Sequence, residues 1–337
     1  MSDERGEQSF FTEDLTEHIK RITAGKKSVC VTCGIMHVSK YELKLWGSEG
    51  EEEYRSHKYE IGSITKTITG ILMSEAVLSG KALTTDRLNK WIPELDNDKY
   101  WPTIEHLLTH TSGFPADDES SFDEYELEEV NCYINITREK LIQQINGLIL
   151  ENITYRPEYS NIGCATIGLI LERIHGKSYK ELAYDVLNRY GMSETVVYST
   201  DDIGLPGIGR EGRTCSNWKW PESCALAPAG SIISTPEDLL KYGQIILQQE
   251  DSAVRLALTP IKQYSPKDKQ PVLKIGYFWM NLEDYNLYFH NGGTGCFNTA
   301  LAIDMKAKTV MIFLSNSYLE EDANFILSEL LHLRENN

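Results

Sequence analysis

The chain of 337 residues is 41% apolar and 25% charged, an ordinary globular composition that excludes a fibrous or intrinsically disordered protein. Its 33 basic and 50 acidic residues leave a net charge of −17, which repels phosphate backbones and argues against a nucleic-acid partner. No run approaches the ~18 uninterrupted apolar residues of a membrane span, so none is expected. Residues 1–27 mix acidic and basic side chains with no apolar stretch, and no secretory signal is read there. The seven cysteines (Cys30, Cys33, Cys132, Cys164, Cys215, Cys224 and Cys296) are odd in number and scattered. That usage fits free thiols in a reducing compartment, and the expected location is cytoplasmic. Cys30 and Cys33 form a CxxC within a β-rich run, with no second Cys or His pair at zinc spacing, and read as two small strand residues.

In chain order, residues 11–24 predict an amphipathic helix with Leu15, Ile19 and Ile22 on one stripe. Residues 28–37 and 41–46 are β-rich and joined by a short polar turn, which predicts a hairpin. After Gly62, the apolar positions Ile64, Ile68, Ile71, Leu72 and Ala76 follow helical spacing, with Gly80 as the stop. Helices are predicted over 103–110, 138–150, 162–174, 179–190 and 236–249. Strands return at 275–280, 286–290, 298–303 and 310–314, and a helix over 323–333 closes the chain. Strands near both ends around a helical middle predict an α/β fold: an antiparallel sheet flanked by helices and built from both chain ends, with an inserted, mainly helical domain. The expected division is 10–80 plus 255–337 for the α/β domain and 81–254 for the helical one, with the active site between them. Residues 117–129 carry eight acids and no base, and residues 201–230 read as a Gly/Pro-rich structured surface loop.

Several motif-like strings do not meet the structural context that their chemistry needs. The GxGxxG at Gly207–Gly212 follows Leu205-Pro206 and precedes Thr214-Cys215-Ser216-Asn217, so no strand and helix flank it and a loop is expected. Gly176-Lys177-Ser178 lacks the glycine of a phosphate loop five positions earlier, and Gly176 reads as a helix terminator. Ile61 and Thr65 occupy the positions where a hydrolase elbow around Ser63 would need glycines. His106 and His110, the i, i+4 pair, read as packing or capping groups.

Three short segments do fit together chemically. Glu60-Ile61-Gly62-Ser63-Ile64-Thr65-Lys66 places Ser63 and Lys66 three apart at a helix start, on one face and within hydrogen-bond reach. A helix N-terminus also favours negative charge on the serine oxygen or on a substrate oxyanion. Tyr159-Ser160-Asn161 puts a phenol and an amide just ahead of another helix. His290-Asn291-Gly292-Gly293 ends a strand on glycines, where a substrate backbone can approach closely.

SxxK, then YxN, then His-x-Gly, in this order, resembles the penicillin-binding and serine β-lactamase family. The nearest branch is the class C β-lactamases with the related D-alanyl-D-alanine carboxypeptidases, D-aminopeptidases and esterases. Leu107-Leu108-Thr109-His110-Thr111-Ser112-Gly113, Tyr190-Gly191-Met192-Ser193-Glu194-Thr195 and residues 229–239 are similar to further family segments, and the resemblance spans residues 12–332. It implies a serine β-lactamase-like fold and an acyl-enzyme on Ser63, with Lys66 and Tyr159 handling its proton. It also implies that Asn161 orients the substrate amide and Lys66, and that the N–H groups of Ser63 and Gly293 form the oxyanion hole. The resemblance further implies that His290, Asn291, Gly292 and Gly293 belong to the substrate-binding and oxyanion side of that arrangement.

True β-lactamases of this family carry lysine where this chain has His290, so efficient β-lactam hydrolysis is not expected. The expected reaction is hydrolysis of an amide bond, in a D-amino-acid-containing peptide, by a D,D-carboxypeptidase or D-aminopeptidase-like enzyme. A carboxylesterase of the same fold and a slowly deacylating penicillin-binding protein are the alternatives. The expected partner is a small molecule or short peptide, and no metal or organic cofactor is implied. The acidic segment 117–129 is either a solvated stretch or a region that attracts amine-bearing substrates.

Overall fold

The computed structural model describes residues 9–115, 130–153, 155–265, 271–319 and 325–336. The acidic segment 117–129 lies outside the described residues. Near the start, β1 (Val31–His37), β2 (Lys40–Gly47) and β3 (Gly50–Glu52) pair as an antiparallel meander, which includes the expected hairpin. Short strands follow in the middle: β4 (Tyr59–Glu60), β5 (Val196–Val197), β6 (Gly207–Ile208), β7 (Thr214–Cys215) and β8 (Ile232–Ser234). The last third supplies β9 (Lys262–Gln263), β10 (Leu273–Gly276), β11 (Trp279–Leu282), β12 (Leu287–Gly293), β13 (Asn298–Asp304) and β14 (Thr309–Ser315). β1 pairs with β14, so the two ends of the chain close one nine-stranded sheet, β3-β2-β1-β14-β13-β12-β11-β10-β9.

Alternation along the central strands explains the layers around that sheet. On β14, Met311 and Phe313 face a core shared with Leu15 and Ile19 of α1 (Glu13–Thr23) and Ile326 and Leu330 of α11 (Phe325–Asn336). Val310, Ile312 and Leu314 face the other way, into a larger core that takes in most of the remaining helices. These are α2 (Thr65–Leu78), α3 (Leu88–Trp91), α4 (Ile104–Leu108), α5 (Arg138–Gly147), α6 (Asn161–His175), α7 (Tyr179–Arg189), α8 (Ala227–Gly230), α9 (Pro236–Gln248) and α10 (Ser252–Ala257). α2 is buried on nearly every face, and its hydroxyls pair inward: Tyr242 donates to Thr67 at 2.8 Å, and Thr69 Oγ1 lies 2.8 Å from the Tyr179 hydroxyl. Among the described residues, no helix is long and apolar enough to cross a membrane.

Two sequence expectations need correction. Residues 275–280 are not one strand but the centre of a hairpin, in which Tyr277 and Phe278 take φ values of 47° and 68° between β10 and β11. Tertiary contact imposes this turn: Phe278 N–H donates to the Leu108 carbonyl at 3.0 Å, and a Cβ at Gly70 of α2 would fall 2.2 Å from the Tyr277 carbonyl oxygen. Residues 201–230 are not merely a surface loop, because Asn217, Trp218, Trp220 and Cys224 in it are buried. The GxGxxG string does form a turn, on the β6–β7 hairpin, and Gly176 ends α6 in the left-handed conformation, as expected.

The end of β12 meets the turn before α2 backbone to backbone. A Cβ at Gly292 would sit 1.9 Å from the Ile61 carbonyl oxygen and 2.5 Å from Thr299 Oγ1. Since backbone cannot move aside as a flexible side chain does, Gly292→Ala is expected to cost about 1–3 kcal/mol of stability by overpacking. Chemical denaturation would measure it, and an unchanged midpoint would contradict this account.

Candidate active site

Ser63 lies on a 3₁₀ turn, Gly62–Ile64, between β4 and α2. The turn is fixed on both sides: Ile61 N–H donates to the Ile232 carbonyl at 3.0 Å, and Ile232 N–H donates to Thr65 Oγ1 at 3.2 Å. Gly62 takes φ +49°, and a Cβ there would fall 2.5 Å from the Gly293 carbonyl oxygen, so glycine is required on both grounds.

In the first turn of the helix, Lys66 is fully buried. Its ammonium donates to Ser63 Oγ at 2.9 Å, to Asn161 Oδ1 at 2.5 Å and to the Ala229 carbonyl at 2.8 Å. These three acceptors match the three donors of an ammonium, which is how a charge survives away from water. The nitrogen also lies 4.8 Å from the centre of the Tyr159 ring. Asn161 turns its amide nitrogen the other way, donating to the Tyr133 hydroxyl at 3.1 Å.

His110 packs, as expected, and the ring it packs against is that of Tyr159. Its Nδ1 accepts from Ser160 N–H at 3.2 Å, its carbonyl accepts from Glu158 N–H at 2.7 Å, and its ring lies 4.6 Å from that of Tyr159. Burial, with the Lys66 charge and His290 nearby, pushes its pKa well below the ordinary range, so the ring that supports the phenol is neutral. His106 does cap, closing the N-terminus of α4 through Thr103 N–H at 3.1 Å. The i, i+4 pair thus splits into two unrelated roles.

A cleft of about 240 Å³ opens above these groups. Ser63, Tyr159, Asn161 and Gly293 line it, together with Thr294, Ala229, Gly230 and three aromatic residues, Tyr133, Trp218 and Trp220. His290 lies behind this surface, its ring 6.4 Å from that of Tyr159 and its Nδ1 2.6 Å from the Asn291 carbonyl. Burial, and then the Lys66 charge, push its pKa down to about 3, so it is no substitute for the lysine ammonium of true β-lactamases. Asn291 and Gly292 do not line the cleft either: Gly292 is the packing glycine under Ile61.

Sequence reasoning missed the aromatic wall and also Glu60. This carboxylate, three residues before Ser63, is buried and accepts from Trp218 N–H at 2.7 Å. Burial raises its pKa, while Thr294, the Trp218 amide and Asn217 pull the other way. The two tryptophans within a Gly/Pro-rich stretch were the available signal for the wall, whereas nothing local marks Glu60 as buried.

The Beta-lactamase family profile matches residues 27–333, and the chain belongs to that family, one of serine hydrolases. It is 25% identical over 272 residues to protein flp of Staphylococcus aureus (strain N315), covering 77% of this chain and 53% of that protein. The chain thus spans about half the length of this curated relative. Among solved structures it is similar to an octameric penicillin-binding protein homologue from Pyrococcus abyssi, with a TM-score of 0.75, 21% identity and coverage of 94% of this chain and 75% of the other. It is also similar to a D-stereospecific amidohydrolase from a Streptomyces species, with a TM-score of 0.72, 19% identity and coverage of 91% and 96%. These likenesses establish the expected β-lactamase-like α/β fold.

Two opposite pH effects follow from the buried groups. Unfolded His290 takes up a proton near pH 6.5 but the folded form does not until about 3, so its contribution to stability is complete above 6.5 and is lost as pH falls through that window. His290→Asn is expected to flatten the acid loss measured by denaturation between pH 6.5 and 4, and an unaltered profile would refute the assignment. Glu60 has the opposite sign: its folded pKa is raised above 4.5, so its ionisation subtracts stability as pH rises through that point. Glu60→Gln, which keeps an acceptor for Trp218, is expected to gain stability relative to wild type above pH 5 and not below 4; the same difference at both pH values would contradict it.

Proposed function

We propose that the protein hydrolyses an amide bond through an acyl-enzyme on Ser63, in a substrate that carries a D-amino acid. The observation that carries this reading is the 2.9 Å hydrogen bond from the buried Lys66 ammonium to Ser63 Oγ, at the floor of an open cleft. A serine hydroxyl is a weak nucleophile until a neighbouring group takes its proton. In this reading that proton passes into the Lys66–Tyr159 pair, with the lysine charge stabilising the phenolate form of tyrosine.

Ser63 Oγ then bonds to the carbonyl carbon, and the Ser63 and Gly293 amides receive the oxyanion. The C–N bond breaks as the pair returns its proton to the leaving nitrogen. Water repeats the sequence to release the acid. Asn161, tied to both Lys66 and Tyr133, holds the ammonium in register and orients the substrate amide. The choice of a D-amino-acid amide is supported by the likeness to the Streptomyces D-stereospecific amidohydrolase, and the neutrality of His290 disfavours β-lactams.

Intact-protein mass spectrometry after exposure to a fluorophosphonate and to penicillin tests the nucleophile: an adduct is expected on wild type and none on Ser63→Ala. An adduct on both proteins would place the reactive group elsewhere. Tyr159→Phe and Lys66→Met are each expected to lower kcat/KM by on the order of 10²–10⁴, the usual worth of positioned proton transfer. A loss below ten-fold in either would remove that residue from the proton path. A panel of D-alanyl amides, nitrophenyl esters and a chromogenic cephalosporin then separates amidase from esterase and β-lactamase by kcat/KM.

A further inference from the structure

Beside Ser63, the cleft is walled by three aromatic rings packed on one another. Tyr133 and Trp220 stack with centroids 6.2 Å apart at 24°, and Trp218 meets both at 6.1 Å. The wall is built in advance of any ligand. Asn131 ties its two halves together, its Oδ1 accepting from Tyr133 N–H and its Nδ2 donating to the Lys219 carbonyl, both at 3.0 Å. Trp218 N–H is held by Glu60 at 2.7 Å, and Trp220 N–H donates to the Ser199 carbonyl at 2.7 Å. A rigid apolar surface loses little freedom on binding, so contact with it appears directly as affinity.

Among the described residues, the same surface carries no positive charge of its own. No lysine or arginine lines the cleft among the described residues. The Lys66 ammonium is directed at Ser63, Asn161 and Ala229, the Lys219 ammonium pairs with Asp202, and His290 is held neutral. A carboxylate brought here would lose its water and gain no counter-charge from the described lining, and the chain's net charge of −17 opposes its approach.

We propose that the wall formed by Tyr133, Trp218 and Trp220 receives a neutral aromatic substituent flanking the bond attacked by Ser63, and that the cleft rejects a substituent ending in a carboxylate. The preferred substrate is then an amide with an aromatic group beside the scissile bond, not a peptide recognised by its free C-terminus. The inference rests on Ser63 being the nucleophile.

The test compares kcat/KM of the full chain for nitrophenyl esters and nitroanilides that differ in acyl group: acetyl, phenylacetyl, glutaryl and 6-aminohexanoyl. A parallel series of D-alanyl amides varies the amine: methylamine, benzylamine and glycine. In at least one series the aromatic member is expected to exceed the small one by about ten-fold or more, with the carboxylate-bearing member below both. Trp220→Ala and Tyr133→Leu are expected to shrink the aromatic-to-small ratio. Should either variant not fold, inhibition of wild type by benzylboronic acid against methylboronic acid reads the same preference.

Flat ratios in both series, or preference for glutaryl, glycine or 6-aminohexanoyl, would overturn the inference. If Ser63 reacts with fluorophosphonate and the ratios are flat, only the inference falls. If Ser63 does not react and nothing is hydrolysed, the catalytic reading falls and the inference with it.

Discussion

One buried ammonium organises this molecule. Lys66 sits in the first turn of a helix that is itself enclosed by core, where an unpaired charge would cost far more than any nearby hydrogen bond returns. It is tolerated because three oxygens converge on it from three separate parts of the chain: Ser63 just before the helix, Asn161 at the start of α6 and Ala229 in the α8 turn. Satisfying the charge therefore fixes the spacing between the nucleophile turn and the helical segments around it. The requirement that makes the lysine structurally tolerable also brings the serine into contact with it.

The rest of the site is braced with similar economy. The His110 imidazole is kept neutral by the same burial that makes Lys66 demanding; it supports Tyr159 by ring contact and accepts from Ser160 N–H, while the His110 carbonyl accepts from Glu158 N–H on the other side of the tyrosine. Glu60 ties the nucleophile strand to Trp218, which couples the catalytic turn to one wall of the cleft. On the opposite side, the approach of β12 to Ile61 and Gly62 is so close that only glycine fits. A buried charge costs stability unless it is partnered, and Lys66 finds two of its partners in the functional groups Ser63 and Asn161.

Much of this was legible in the linear chain. The β-rich runs of β1, β13 and β14 and the 3.6-residue spacing of apolar positions in α2 and α6 place sheet and helices within a few residues of where they lie, because both signals are written in neighbouring residues. Ser63 and Lys66 were readable as a pair because three residues along a helix return to the same face. The turn at Tyr277 and Phe278 was not readable. Its residues favour strands, and left-handed backbone there is imposed by Leu108 and Gly70 from far along the chain. Trp218 and Trp220 were hidden for the converse reason, since a stretch rich in glycine and proline has no periodicity even when it is buried.

The sequence by itself determined which groups could do chemistry and the order in which they occur, since hydroxyl, ammonium, phenol and paired glycines are properties of residue types and short spacings. Tertiary structure alone decided which of them meet. It brought Asn161 and Ala229 to the lysine, moved His290 behind the cleft and stripped its charge, and turned a loop into an aromatic wall. The physical reason is that periodicity reports how a segment satisfies its own backbone and buries its own face. Burial, counter-charge and contact across the cleft depend on segments that no local pattern connects.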